Sequence, residues 1–204
     1  MRIVDRGIEQ SLTGLAYLFA RHWLAVLIGL NFLFILPIVG YPILMATGDP
    51  ALQSIADVIH LVYHATCHQL PERSLFIGEY EMAVCSRCFA IYVAFLAGCV
   101  LFAFVRTKLK IWSLFWFAAL CVPMAIDGFA QLFRVPLPRA FGPGGELVWM
   151  AESTNEIRVI TGLIFGFACA LYVMPFMQEI FNGDSSAPVK KDLPAGSDQR
   201  PAAK

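Results

Sequence analysis

Four long apolar runs leave this chain few folds to choose from. From Trp23 to Met45 every residue is apolar or small except Asn31, and residues 83–105, 111–133 and 157–179 are nearly as apolar. Each is long enough to cross the ~30 Å hydrocarbon core of a bilayer as a helix. Lipid offers no hydrogen bonds, so a spanning segment must satisfy its own backbone, and the runs predict an all-α membrane protein with four transmembrane helices. Composition agrees: 58% of the 204 residues are hydrophobic and 15% charged, with mean hydropathy +0.67, too apolar for an ordinary soluble domain. The 15 basic and 15 acidic residues cancel, so nothing points to nucleic acid, and the lipid bilayer is the expected partner. Charges run through the first 22 residues with no small-residue cleavage site after a short apolar core, so the first run is expected to stay in the membrane.

Ahead of that run, Ile8, Leu12, Leu15 and Phe19 recur at helical spacing among Arg2, Asp5, Arg6, Glu9 and Gln10. This is the pattern of a helix lying on a membrane surface, so residues 1–22 are expected to be a cytoplasmic interfacial segment. Asp49-Pro50 opens a further helix, an Asx cap followed by proline at the first helical position, and Pro71 stops it. Along it Gln53, Asp57, His60, His64, Cys67 and His68 fall at offsets 0, 4, 7, 11, 14 and 15, one narrow face at ~100° per residue. A helix of about 50–69 with such a stripe is expected to be amphipathic or re-entrant rather than a fifth span. Residues 23–180 then form a single four-span domain, and 181–204, rich in Ser, Pro, Ala, Lys and Asp, a disordered cytoplasmic tail.

Charge sets the orientation. With the N-terminus inside, Arg2, Arg6, Arg21, Arg106, Lys108, Lys110, Lys190, Lys191, Arg200 and Lys204 are cytoplasmic, against Arg73, Arg87, Arg134, Arg139 and Arg158 outside. The positive-inside rule therefore predicts a multi-pass cell-membrane protein with both termini in the cytoplasm. A fifth span would nearly erase this bias.

Chemistry concentrates between the first two spans. His64, Cys67, Cys85 and Cys88 read His-x2-Cys-x17-Cys-x2-Cys, close to the spacing of a four-ligand site for zinc or another divalent transition metal, with His68 in reserve. If four protein ligands close the sphere, the metal is structural and clips the re-entrant helix to the second span; if one position were open, bound water would become a nucleophile, with Asp127 or His60 as proton carrier. The same cysteines permit a thiol-disulfide oxidoreductase, because Cys85-x-x-Cys88 opens an apolar helix beside Arg87 and Cys67 is near in sequence. A third reading is an ion or small-solute carrier using the Asp57, His60, His64 and His68 stripe; four spans are few for this, so it would be a homo-oligomer.

Asp127 and Gln131 lie one turn apart in an apolar span, and an intramembrane carboxylate is a functional candidate by default. Arg158 is its expected ion-pair partner, or the group that grips a lipid phosphate or a carboxylate. Asp127, Arg158 and His60 are thus the candidate catalytic groups. Ser153-Thr154-Asn155-Glu156 fits a capping box for the last span. Ala94 with Gly98, and Gly162 with Gly166, offer close-packing faces, while Cys99, Cys121 and Cys169 fall singly in apolar runs as core residues.

Cys67-His68-Gln69, Pro71-Glu72-Arg73-Ser74 and Cys85-Ser86-Arg87-Cys88, followed by Tyr92, Asp127-Gly128, Gln131, Asn155, Arg158, Thr161 and Gly162, resemble the prokaryotic membrane family named domain of unknown function 2085. The resemblance spans roughly residues 55–170. It marks Gln69, Arg73, Arg87, Gln131 and Asn155 as further motif residues, and it implies no activity. Members usually carry glycine two places after the last cysteine, where this chain has Ala90.

Overall fold

The structure, a computed structural model, describes residues 2–106, 113–141 and 143–183, with side chains continuously described from Ala20 to Arg106 and through the two later segments. Its helices are α1 (Arg2–Ala46), α2 (Pro50–His64), α3 (Ser86–Val105), α4 (Leu114–Leu132) and α5 (Asn155–Gly183). Four of them, α1, α3, α4 and α5, contain stretches long and apolar enough to cross a membrane. At 15 residues α2 is ~22 Å long, too short to span. The expected surface segment is continuous with the first span: α1 runs unbroken for 45 residues, with Pro37 and Pro42 inside it. Residues 107–112 and 184–204, which hold Lys108, Lys110 and most of the expected tail, lie outside the described residues.

The spans pack through small residues. A methyl group added at Gly162 would stand 2.7 Å from the backbone oxygen of Arg87, and one at Gly166 would collide with the backbone oxygen of Ile91. The backbones of α3 and α5 therefore approach as closely as the glycine spacing predicts. Ala90 is tolerated because the glycine of that contact sits opposite, at Gly162. At one end Trp23 stacks on Phe181 with ring centroids 5.4 Å apart, and Gln178 Nε2 donates to the Arg106 carbonyl at 3.3 Å. Away from these seams Leu30, Leu33, Phe104 and Phe115 are more than half exposed. Such an apolar surface belongs in lipid.

Two antiparallel hairpins cover the other end. The first joins β1 (Ser74–Ile77) to β2 (Tyr80–Cys85), turning at Gly78 with φ +64°, and pairs Ser74 with Cys85. The second joins β3 (Leu137–Phe141) to β4 (Leu147–Met150), turning through Gly145 with φ +82°. The start of the second apolar run thus forms a strand, and the run splits into β2 and α3. Met82, Ala83 and Val84 of β2 are buried with Ile38 of α1 and Tyr63 of α2, which makes the first hairpin part of the core.

Gly166→Val is expected to destabilise the protein by about 1–3 kcal/mol, read as a lower Tm in detergent, because backbone faces the added atoms. Gly29→Ala, with nothing within 4 Å, is the control expected to leave the Tm unchanged or raise it.

Candidate metal centre

Asp49 caps α2 as its sequence predicts, accepting from the N–H of Ala51 at 2.8 Å with Pro50 at the first helical position. The helix ends at His64, several residues short of the expected end. The backbone N–H groups of Thr66 and Cys67 both turn back to the Tyr63 carbonyl at 3.0 Å, and the chain leaves the helix axis. Cys67 and His68 are consequently on a loop, so the polar stripe is broken after His64. Asp57 and His64 are exposed, and His60 lies against Tyr41 with ring centroids 5.4 Å apart.

Gln69 fixes that loop. It is buried, with φ +51°, a left-handed conformation that costs a non-glycine residue free energy unless its surroundings hold it there. Its Nε2 donates to the carbonyls of His60 and Ala83, each at 2.8 Å, tying α2 to β2. Its Oε1 lies 3.0 Å from His64 Nδ1. Because Nε2 is already donating twice, Oε1 must accept, so the proton is on His64 Nδ1.

The first hairpin then brings Cys85 back over Cys67, whose sulfur accepts the Cys85 backbone N–H at 3.2 Å. One helical turn into α3, Cys88 completes a group in which the sulfurs of Cys67, Cys85 and Cys88 all lie within 4.8 Å of one another. None of the three is in a disulfide. Hydrogen bonds from Cys85 and Cys88, aided by backbone N–H groups of Cys85 and Gln69, hold the Cys67 thiol well below its usual range, against the opposing effect of burial. The Cys85 thiol is raised, chiefly by its hydrogen bond to Cys67 and by burial. Ligand sulfurs around one tetrahedral zinc stand ~3.8 Å apart, given Zn–S bonds of ~2.3 Å, so small side-chain rotations would let all three meet one ion. Of the four expected ligands the structure gathers these three. His64 is hydrogen-bonded to Gln69, while His68 lines the cleft beside the cysteines.

Beyond the sulfurs the cleft wall is basic. Asp127, 5% exposed near the end of α4, is met by Arg87 of α3 and Arg139 of β3, and it accepts from Gln131 Nε2 at 2.9 Å. Arg158 is not its ion-pair partner. Buried in α5 at 3% exposure, Arg158 donates instead to Gln131 Oε1 at 3.2 Å and Asn155 Oδ1 at 3.4 Å. Asn155 also accepts from Ser86 Oγ at 3.0 Å and donates to the Ser74 carbonyl at 3.3 Å, joining α5 to α3 and to β1. Arg73 reaches Glu152 at 3.5 Å. The cap of α5 is Thr154, whose Oγ1 accepts from Ile157 N–H at 3.5 Å, so the expected capping box through Ser153 does not form. Sequence reasoning missed Arg139 as a site residue; its signal was the Leu-Pro-Arg-Ala-Phe run before a glycine-rich turn, which reads as a strand.

Gln69→Leu should remove the two side-chain bonds that tie α2 to β2 and lower stability by about 2 kcal/mol or more, measured by thermal unfolding in detergent.

Residues 67–172 match the family described as predicted membrane protein, DUF2085. An uncharacterised protein of Methanocaldococcus jannaschii is 34% identical over 164 residues, covering 78% of this chain and 95% of that protein. A second uncharacterised protein, from Methanothermobacter thermautotrophicus, is 29% identical over 105 residues, covering 52% of this chain and 81% of that one. No solved structure matches. The matched segment begins at Cys67 and contains all three clustered cysteines, Asp127 and Arg158, and the chain belongs to this DUF2085 family of multi-pass membrane proteins.

Proposed function

We propose that this protein is a membrane metalloprotein in which Cys67, Cys85 and Cys88 hold zinc or a similar thiophilic divalent ion at the outer edge of the bilayer. The observation that carries the reading is the convergence of three sulfurs from a loop, a strand end and a helix start within 4.8 Å. Three thiolates suit a soft or borderline metal. Hydrogen bonds from Cys85 and Cys88 favour the thiolate form of Cys67. Three protein ligands leave the fourth tetrahedral position to His68 or to a group from the cleft. With a cleft of about 170 Å³ beside the sulfurs, an exchangeable ligand there is the reading we favour, and it would allow the ion to polarise a bound substrate or activate water. Asp127 is ill placed to act on a group in the cleft, since it is paired with Arg87 and Arg139 and does not line the cleft. The bias of basic residues supports cytoplasmic termini and an extracytoplasmic site.

The same three sulfurs would also permit a disulfide, the second reading, if an external oxidant took up two electrons, because the sulfurs lie within 4.8 Å of one another. Elemental analysis of the purified protein, paired with a count of free thiols after denaturation without reductant, separates the two. About one transition metal per chain, lost in Cys67→Ser or Cys85→Ser and kept in His64→Ala, is the expected result. Acidification should release the metal, since protons compete for each thiolate. No metal together with two missing thiols would overturn the reading in favour of a redox pair or staple.

A further inference from the structure

The basic wall of the cleft holds more positive charge than its carboxylates answer. Arg73, Arg87 and Arg158 all line the cleft beside the cysteines, and no carboxylate lines it. Arg73 has Glu152 and Glu72 nearby, whereas Arg87 shares Asp127 with Arg139. One carboxylate between two guanidiniums leaves one positive charge over. Arg158 adds another, for its hydrogen-bond partners are the neutral amides of Gln131 and Asn155. Neither it nor Arg87 donates to a cysteine sulfur among the described residues. The Nε atoms of Arg73 and Arg87 are buried without a hydrogen-bond partner in the protein. Burying a guanidinium such as Arg158, 3% exposed, with no carboxylate hydrogen-bonded to it among the described residues is costly, and an anion in the cleft would offset that cost.

We propose that this cleft binds a phosphate group through Arg73, Arg87 and Arg158. The three side chains come from three elements: the 3₁₀ turn Pro71–Arg73, the first turn of α3 and the first turn of α5. Forks arriving from different directions match a tetrahedral oxyanion, whose oxygens diverge, better than a planar carboxylate that one fork satisfies. Both α3 and α5 also begin here, and their N-terminal dipoles favour negative charge. Arg73, Arg87 and Gln131 are shared with an adjoining cleft of about 580 Å³, which gives room for whatever the phosphate is attached to. A soluble phosphate ester and a lipid headgroup carry the same recognisable group, and the position at the membrane edge gives access to both. That the phosphate sits beside a metal rests on the metalloprotein reading; its binding rests on the arginines alone.

The test uses the full chain in detergent, with metal content measured on the same samples. Inorganic phosphate is titrated by calorimetry, and phosphatidic acid in phosphatidylcholine nanodiscs is scored by native mass spectrometry. Wild-type protein should bind at least one probe, and the preferred probe identifies the source. Arg158→Gln should weaken binding by about 10- to 100-fold, the loss of a charge-assisted pair. Arg73→Gln, at a more exposed position, should weaken it in the same direction and decides the matter if the buried variant fails to fold. Failure of both probes to bind metal-loaded wild-type protein, or binding unchanged in folded Arg158→Gln and Arg73→Gln, overturns the proposal. A chain purified without metal that still binds phosphate through these arginines supports it, while the metal reading stands or falls on the count of metal and free thiols.

Discussion

A carboxylate at the end of a membrane span needs cations to meet it, and Asp127 meets two. The consequences reach well beyond that pair. Arg87 lies between Ser86 and Cys88, so the ion pair orients the first turn of α3, the turn that carries one of the clustered sulfurs. Arg139 draws the second hairpin down over the end of α4. Gln131, one turn after Asp127, hands the network on to Arg158 and through Asn155 to Ser86 and Ser74. Three spans and two hairpins are thereby locked together by polar groups that lipid would exclude.

Much of this frame could be read from the sequence, because its signals are periodic or local. Apolar run length gave the spans to within a few residues, Asp49-Pro50 marked the start of α2, and glycine spacing marked the α3–α5 seam. The hairpins were hidden for a physical reason. Strands next to a membrane are apolar like the spans they adjoin, and β2 therefore merged with α3 in a reading based on hydropathy. The end of α2 was hidden too. Helical periodicity continues through Cys67 and His68, and only the buried bonds of Gln69, which are long-range, reveal that the chain departs after His64.

The site was legible as residue types and not as pairings. Spacing nominated Cys67, Cys85 and Cys88, and the structure brings them together; spacing equally nominated His64, which Gln69 holds at Nδ1. Asp127 was correctly singled out as a buried charge, but its partners lie 40 residues before it and 12 after it, on elements whose positions no local pattern gives. Arg158, the expected partner, is released by that arrangement to face the cleft. The result is a short distance between soft sulfur ligands and hard cationic donors at the mouth of a membrane bundle. A centre that binds a metal through thiolates and an anion through guanidiniums is what such a juxtaposition supports.

Three cysteines sharing one ion, with a position left for a lighter ligand, would have a distinct signature in X-ray absorption at the edge of whichever metal co-purifies. For zinc, about three sulfur scatterers at ~2.3 Å and one nitrogen or oxygen closer in are expected. A metal shell of nitrogen and oxygen alone, with no sulfur scattering, would contradict that arrangement.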